Sequence, residues 1–232
     1  MNTAKKGVSP TMKAVFVDFE MNPIDRRHQE ARRICQGEII EIGAVKLDED
    51  GKEIGAYKEY ICPEYTSQMN ATCQALTGIT MDMLTPAAHF QTVFAHFLAW
   101  CNEDAPNAYE MYAWSENDWH QLTCEMRLKQ SDMNDPQIRW MLDHWQNFQQ
   151  IFCNLLGLDN VISLDKAVTL LGTSFVGKMH DALWDARNTS QLYVLSKKDA
   201  HFRTRIGPII AATKPAEPLT YSLADAFLAA QK

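Results

Sequence analysis

Two carboxylates stand two residues apart at the end of an apolar run. The run from Lys13 to Phe19 (KAVFVDF) is rich in β-branched and aromatic residues, which predicts a buried strand, and Asp18 and Glu20 lie at its carboxyl end. Side chains two apart on a strand point to the same face, so the two carboxylates repel each other. A divalent cation would neutralise the pair, although a solvated strand end would present the same two residues.

Two more acidic residues and a histidine occur later in similar positions. Asp118 follows a predicted strand at 109–114 (YEMYAW), in the first turn of a helix that Ser115 can cap. His180 and Asp185 belong to HDALWD, where the last long helix is predicted to begin. Taken alone, Asp118 is equally well explained as a helix N-terminal charge and His180 as an ordinary surface histidine.

The charge balance excludes a protein that holds nucleic acid through general positive charge. The chain has 22 Lys+Arg against 29 Asp+Glu, a formal net charge of -7. A polyanion must therefore be met by metal ions or by a local patch. Two basic segments qualify, RRHQEARR at 26–33 and KKDAHFRTR at 197–205, and an ordinary solvated charged face explains each of them equally well.

The cysteines and the apolar runs exclude other classes. The six cysteines occur singly with no CxxC pair, so neither a zinc cluster nor a disulfide framework is predicted. The opening MNTAKKGVSPTMK has no apolar stretch behind it, and no later run approaches the roughly 18 apolar residues of a membrane span. We therefore expect no membrane association and a reducing, cytoplasmic setting.

The elements that must position these residues alternate between strands and helices. Strands are predicted at 13–19, 38–47, about 56–62, 109–114 and 144–148, with a DEDG hairpin turn at 48–51 that makes the second and third strands antiparallel. Helices are predicted at 91–101, 115–128, 152–156, 163–171 and 181–198. This order predicts an α/β fold in which helices cover both faces of a mixed sheet.

Composition divides the chain into three parts. Residues 1–11 are predicted to be an N-terminal lead, 12–206 the α/β domain, and 207–232 a Pro-containing linker followed by a short amphipathic helix at 219–230 (LTYSLADAFLAA). The apolar face of that helix requires cover. A second copy of the chain, a partner or the helix's own domain would each provide it.

Taken together, DFE, SENDWHQL and HDALWD resemble the three exonuclease motifs of the DEDDh group of DnaQ-like 3′-to-5′ exonucleases. Further segments at 37–54 (GEIIEIGAVKLDEDGKEI), 60–84 (YICPEYTSQMNATCQALTGITMDML) and 164–172 (LDKAVTLLG) are similar to the Eri-type exonucleases and to their bacterial sporulation-inhibitor-like relatives. The resemblance covers about residues 13–198.

This resemblance implies a ribonuclease H-like fold with a mixed five-stranded sheet and two divalent metal ions, Mg²⁺ or Mn²⁺, on the scissile phosphate. The residues that match the metal-binding acids are Asp18, Glu20, Asp118 and Asp185, and His180 matches the histidine that gives the group its final letter; we expect it to be the general base. Two ions roughly 3.5 to 4 Å apart can stabilise both the attacking and the leaving oxygen of an in-line displacement. A histidine can accept a proton near neutral pH.

The resemblance also points to residues that would contact the 3′-terminal nucleotide: Phe19, Met21, Leu76 and Thr77. Leu76 would equally suit a place in the core. Trp114 and Trp119 beside Asp118 could stack on bases, but aromatic residues at a strand-helix junction are more often packed inside. The chain departs from the pattern after Glu20, where many members carry a small polar run and this sequence has Met-Asn-Pro.

The predicted function is that of a metal-dependent 3′-to-5′ exonuclease acting on single-stranded ends and releasing nucleoside 5′-monophosphates. RNA is favoured as substrate by the subgroup resemblance. A DNA-directed exonuclease would use the same site, and a catalytically silent nucleic-acid-binding module would keep the fold without turnover.

Overall fold

A computed structural model describes residues 12–198 together with Phe202, Thr204, Ile206, Gly207 and Ile210. The predicted N-terminal lead and the predicted helix at 219–230 lie outside the described residues. The three-part division of the chain therefore remains a prediction.

A single mixed sheet organises the described chain. Its strands are β1 (Lys13–Pro23), β2 (Gly37–Leu47), β3 (Glu53–Tyr60), β4 (Tyr109–Ala113) and β5 (Trp145–Asn147), in the spatial order β3-β2-β1-β4-β5. β2 is antiparallel to both β1 and β3, whereas β4 is parallel to both β1 and β5. The predicted mixed five-stranded sheet and the β2-β3 hairpin are confirmed.

Helices connect and cover these strands. In chain order they are α1 (Gln29–Ile34), α2 (Ala71–Thr77), α3 (Met81–Leu84), α4 (Phe90–Asn102), α5 (Glu116–Leu128), α6 (Pro136–Asp143), α7 (Phe148–Leu156), α8 (Leu164–Leu170) and α9 (Ala182–Lys198). Among the described residues, no helix has the length and apolarity needed to cross a bilayer. All six cysteines are free thiols, and three of them are buried.

Four short helices differ from the sequence prediction. α1 overlaps the basic segment at 26–33, and α2 and α3 follow Pro63; no helix was predicted in either region. No helix was predicted after Asp135 either, yet α6 begins there: the Asp135 carboxylate accepts the N–H groups of Gln137 and Ile138, and Pro136 occupies the first turn. Aspartate and proline can both end one element and begin the next helix, so Asp135 and Pro136 mark a boundary without showing that a helix follows.

The sheet has a hydrophobic core on each face. Val15, Val17 and Phe19 belong to the core formed with α4, α5 and α6, whereas Ala14 and Phe16 belong to the core formed with α7, α8 and α9. Because side chains alternate along a strand, Asp18 and Glu20 continue the Ala14 and Phe16 face and point towards α9. The two carboxylates thus lie on the face of the sheet that α9 covers.

The N-terminal end of α9 lies directly on β2 at Gly43. Gly43 is the register partner of Asp18, and a Cβ atom placed on it would lie 2.1 Å from the Leu183 nitrogen and 2.2 Å from the Ala182 carbonyl carbon. Only glycine permits this approach of helix to strand. The close contact brings the start of α9 to the carboxylates of β1.

Replacing Gly43 with alanine should destabilise the fold and move α9 away from β1. We expect a loss of at least about 1 to 3 kcal/mol in the free energy of unfolding, because the added methyl group meets backbone that cannot rotate aside. Chemical denaturation of Gly43→Ala beside Gly55→Ala measures this. Gly55 in β3 is the matched control, since its added Cβ would meet only the Trp100 ring at 3.4 Å. Equal stability of the two variants would contradict the close contact.

Candidate active site

β1, the middle strand of the sheet, carries the first two acids, Asp18 and Glu20. Glu20 is the register partner of Glu41 on β2, and the register shifts by one residue between Glu20 and Met21. Such a bulge increases the local twist and re-aims the side chains beside it. Asp18 and Glu20 are both partly buried at this point.

α5 supplies the third acid, Asp118, and three hydrogen bonds fix its position. The Ser115 hydroxyl accepts the Asn117 N–H and caps the helix, which places Asp118 in its first turn. Oδ1 of Asp118 accepts the backbone N–H of Phe19 at 3.3 Å. Further along α5, Glu125 accepts the Ile39 N–H at 2.8 Å and ties the helix to β2. Asp118 is thereby fixed against the strand that carries Asp18.

The segment before α9 supplies the histidine, and α9 supplies the fourth acid. Asp185 lies in the first turn of α9, where its N–H donates to the Asp181 carbonyl at 2.9 Å. His180 is exposed and has a left-handed backbone with φ of 59°. One ligand atom from each of Glu20, His180 and Asp185 lies within 4.8 Å of the others.

Burial raises the pKa values of all four acids, and neighbouring negative charges raise those of Asp18, Glu20 and Asp185 further. The pKa of Asp18 is raised well above its ordinary value by burial and then by Asp118, Asp185 and Glu20. Burial, followed by the charges of Asp185 and Glu41, raises the pKa of Glu20 to about 8. Burial raises the pKa values of Asp118 and Asp185 to about 7, against hydrogen bonds that lower them. The four groups cannot all be ionised near neutral pH without a counter-charge.

The donor set fits hard divalent cations. Carboxylate oxygens are the ligands that such ions prefer, and four carboxylates from β1, α5 and α9 converge here. Oδ1 of Asp185 is buried and has no hydrogen-bond partner among the described residues. A buried carboxylate oxygen without a partner is costly in free energy, and a bound cation would remove that cost.

The four residues predicted to contact the terminal nucleotide differ in what they can offer. Leu76, at the end of α2, is 47% exposed, which suits a stacking contact, and Met21 is partly buried. The Phe19 side chain is 3% exposed and packs in the core, so only its backbone faces the site. The Thr77 hydroxyl donates to the Cys73 carbonyl and accepts the Ile79 N–H. All four contacts remain predictions.

The two tryptophans beside Asp118 both contact neighbouring aromatic rings. Trp114 is buried against Phe148 and Phe152, which confirms the packing alternative for this residue. Trp119 is partly buried with its ring against His120.

Three of the four arginines in the basic segment contact neighbouring groups. Arg27 pairs with Asp25, Arg33 with Glu30, and Arg32 donates to the Ile24 carbonyl. Arg26 is exposed and lines a cavity of about 330 Å³ beside the end of β1. Phosphate contact by this segment remains a prediction.

Sequence reasoning missed a second group of charged residues next to the acids. The Lys58 ammonium lies 2.7 Å from Oε1 of Glu41 and 2.6 Å from Oδ2 of Asp181. Glu41 is only 1% exposed. Its place inside the apolar run EIIEIGAV was a usable signal, because a carboxylate is rarely buried without a partner. Nothing in the sequence pattern distinguishes Lys58, whose role depends on its neighbours across the sheet.

Comparison with known proteins agrees with this geometry. The model of the RNase_T family, described as exonuclease, matches residues 15–193. The chain belongs to this exonuclease family. It is 26% identical over 202 residues to rat 3′-5′ exoribonuclease 1, covering 79% of this chain and 52% of the relative. It is 27% identical over 195 residues to zebrafish ERI1 exoribonuclease 2, covering 77% and 34%. The chain thus spans about half the length of these relatives or less.

Solved structures place the fold in the same group. The nuclease domain of 3′hExo, a DEDDh family member bound to rAMP, superposes with a TM-score of 0.69 at 22% identity, covering 83% of this chain and 94% of that one. E. coli exonuclease I in complex with a dT13 oligonucleotide gives a TM-score of 0.60 at 16% identity, covering 84% and 43%. The predicted DEDDh, Eri-type assignment and the ribonuclease H-like fold are confirmed, and this family uses divalent metal ions.

The stability of the metal-free protein should fall as the pH rises towards 8. The folded-state pKa values of about 7 for Asp118 and Asp185 and about 8 for Glu20 exceed the value near 4 of an unfolded chain. The folded state therefore binds protons more tightly, and the stability that these protons provide is lost between about pH 4 and pH 8. Thermal unfolding in chelator at pH 5 to 8 measures this loss.

Divalent cation should reverse the loss, adding about 2.7 kcal/mol at 100 times its Kd. In Asp18→Asn the metal-free loss should be smaller and the response to cation weaker. Glu49→Gln, an exposed residue of the β2-β3 turn, is the control and should behave like the unaltered chain. A metal-free Tm independent of pH in the unaltered chain would contradict the close packing of the acids.

Proposed function

We propose that this chain is a metal-dependent 3′-to-5′ exonuclease that hydrolyses single-stranded nucleic acid ends to nucleoside 5′-monophosphates. The observation that carries the proposal is the convergence of four carboxylates from β1, α5 and α9 with an exposed histidine beside two of them. Family membership over residues 15–193 supports the same reaction class.

Asp18, Glu20, Asp118 and Asp185 would hold two divalent ions, Mg²⁺ or Mn²⁺. When bound, the ions supply positive charge that stabilises the attacking and leaving oxygens at the scissile phosphorus. The acids themselves would position the ions. Asp118 is held by the Phe19 N–H and Asp185 by the first turn of α9, so the set is formed before substrate arrives.

His180 is assigned to remove a proton from the attacking water. Its imidazole is exposed, so a water and a phosphate can reach it, and it lies beside Glu20 and Asp185. One of its ring nitrogens would accept the proton as the water oxygen attacks phosphorus, and the 3′ oxygen of the preceding nucleotide would leave.

RNA is the proposed substrate, with DNA as the second candidate. The rat and zebrafish relatives are exoribonucleases by name, and one similar structure is of a 3′-exonuclease recognising the 3′ end of a histone mRNA stem-loop. Exonuclease I, a more distant structural neighbour, holds a dT13 oligonucleotide. Leu76 and Met21 are the proposed apolar contacts to the terminal base, which suits trimming without sequence preference.

The deciding experiment is degradation of a 5′-labelled single-stranded RNA and of its DNA counterpart with Mg²⁺, Mn²⁺ or chelator. We expect a ladder that shortens from the 3′ end, with RNA cleaved faster than DNA. Chelator and Asp18→Ala should each abolish it. No cleavage of either strand with any metal, together with retained RNA binding, would favour the silent binding module instead.

His180→Ala should lower kcat by about 10²-fold or more, the usual contribution of a positioned general base. Because the four acids remain, cation binding measured by calorimetry should stay within a few fold of the unaltered chain. His120→Ala is the matched control, since this exposed histidine lies one turn along α5 on the surface and should leave turnover unchanged. Full activity of His180→Ala would overturn the assignment of the base.

The proposed setting is cytoplasmic, as expected for a chain with free cysteines and without a membrane-spanning helix among its described residues. Self-association or partner docking through the segment at 219–230 likewise remains a proposal. Gel filtration of the full chain beside a chain that ends at residue 218 tests self-association. If both elute at the apparent mass of a monomer, self-association through this segment is contradicted.

A further inference from the structure

The backbone that carries His180 is held in a rarely populated conformation. His180 has φ of 59°, in the left-handed region that residues other than glycine adopt in only a few per cent of cases, with Asn, Asp and His the most frequent among them. Gly177, three residues earlier, has φ of 80°, and a Cβ atom there would lie 2.1 Å from the Trp184 ring. Such a conformation persists only where the surrounding structure fixes it.

Asp181, the residue after His180, is fixed by contacts at both carboxylate oxygens. Oδ1 accepts the Trp184 N–H at 3.4 Å, which caps the first turn of α9. Oδ2 lies 2.6 Å from the Lys58 ammonium on β3. The second contact joins the segment before α9 to a strand that lies two positions from β1 in the sheet.

Glu41 on β2 completes this link. Its Oε2 accepts the Ala182 N–H at 3.4 Å, and its Oε1 lies 2.7 Å from the same Lys58 ammonium. Lys58 thus bridges a carboxylate of β2 and a carboxylate of the segment that carries His180. Removing Lys58 would leave Glu41, which is almost fully buried, without its cation.

We infer that Lys58 is a positioning residue for the hydrolytic site: by holding Glu41 and Asp181 together it fixes the backbone on which His180 faces Glu20 and Asp185. The inference rests on the proposed function for its kinetic consequence. It concerns a residue that touches neither the four acids assigned to the metal ions nor His180 itself. The alternative is an ion pair that supports the fold without affecting turnover.

The kinetic test compares Lys58→Met, Lys58→Arg and Lys52→Met on the labelled RNA. Lys58→Met should lower kcat about tenfold or more with KM within about twofold, since the substrate contacts are untouched. Cation affinity should stay equal or increase, because a positive charge near the acids is lost. Lys58→Arg should recover most of the loss. Lys52→Met, which alters an exposed lysine before β3, should behave like the unaltered chain.

A double-mutant cycle separates positioning from a general loss of structure. If Lys58 acts through His180, then Lys58→Met should cost less than about twofold in a His180→Ala background. The same tenfold loss in both backgrounds would overturn the inference, as would unchanged kcat in Lys58→Met. Thermal unfolding of each variant identifies any that fail to fold.

A readout that needs no turnover keeps this test separate from the proposed function. The imidazole ¹⁵N resonances of His180, assigned by their absence in His180→Ala, report the surroundings of the ring in the metal-free protein. They should shift or broaden in Lys58→Met, recover in Lys58→Arg and stay unchanged in Lys52→Met. Unchanged resonances in Lys58→Met would overturn the inference. Absence of nuclease activity in the unaltered chain would instead overturn the proposed function alone.

Discussion

Repulsion among closely packed carboxylates is the constraint on which the rest of this structure depends. Four acids from three separate elements are held at one sheet edge, and burial raises the cost of each negative charge. A fold built only for stability would separate them. This one holds them together through backbone contacts, such as the Phe19 N–H to Asp118, that do not neutralise the charge. Because no cationic side chain of the described residues pairs with the four acids, their carboxylates form a site for divalent cations.

The elements around the site can be understood as supports for that arrangement. β1 runs through the middle of the sheet and is covered on both faces, so Asp18 and Glu20 have little freedom to move apart. α5 is tied to β2 by Glu125, and α9 lies on β2 because Gly43 has no side chain. Rigid supports matter for hydrolysis because the charges must already be aimed when the transition state forms.

The acids at the centre of the site and the acids around them differ in whether a cationic side chain pairs with them. The four acids have no cation among the ion pairs of the described chain, whereas the next carboxylates outward, Glu41 and Asp181, share Lys58. The four acids are therefore available to bind metal ions, whereas Glu41 and Asp181 fix the position of the backbone. The net charge of -7 is compatible with a polyanionic substrate because two bound divalent ions would offset the four carboxylate charges at the site.

The sequence by itself determined the residues that can do the chemistry and the elements that bear them. The spacing of Asp18 and Glu20 placed them on one face, and the three motifs identified the family, because strand periodicity and motif order are local properties of the chain. Only the tertiary structure decided which face α9 covers, that Gly43 allows its approach, that Phe19 is buried while Leu76 is exposed, and that Lys58 serves the segment of His180. These depend on contacts between residues far apart in the chain, and no local pattern encodes them.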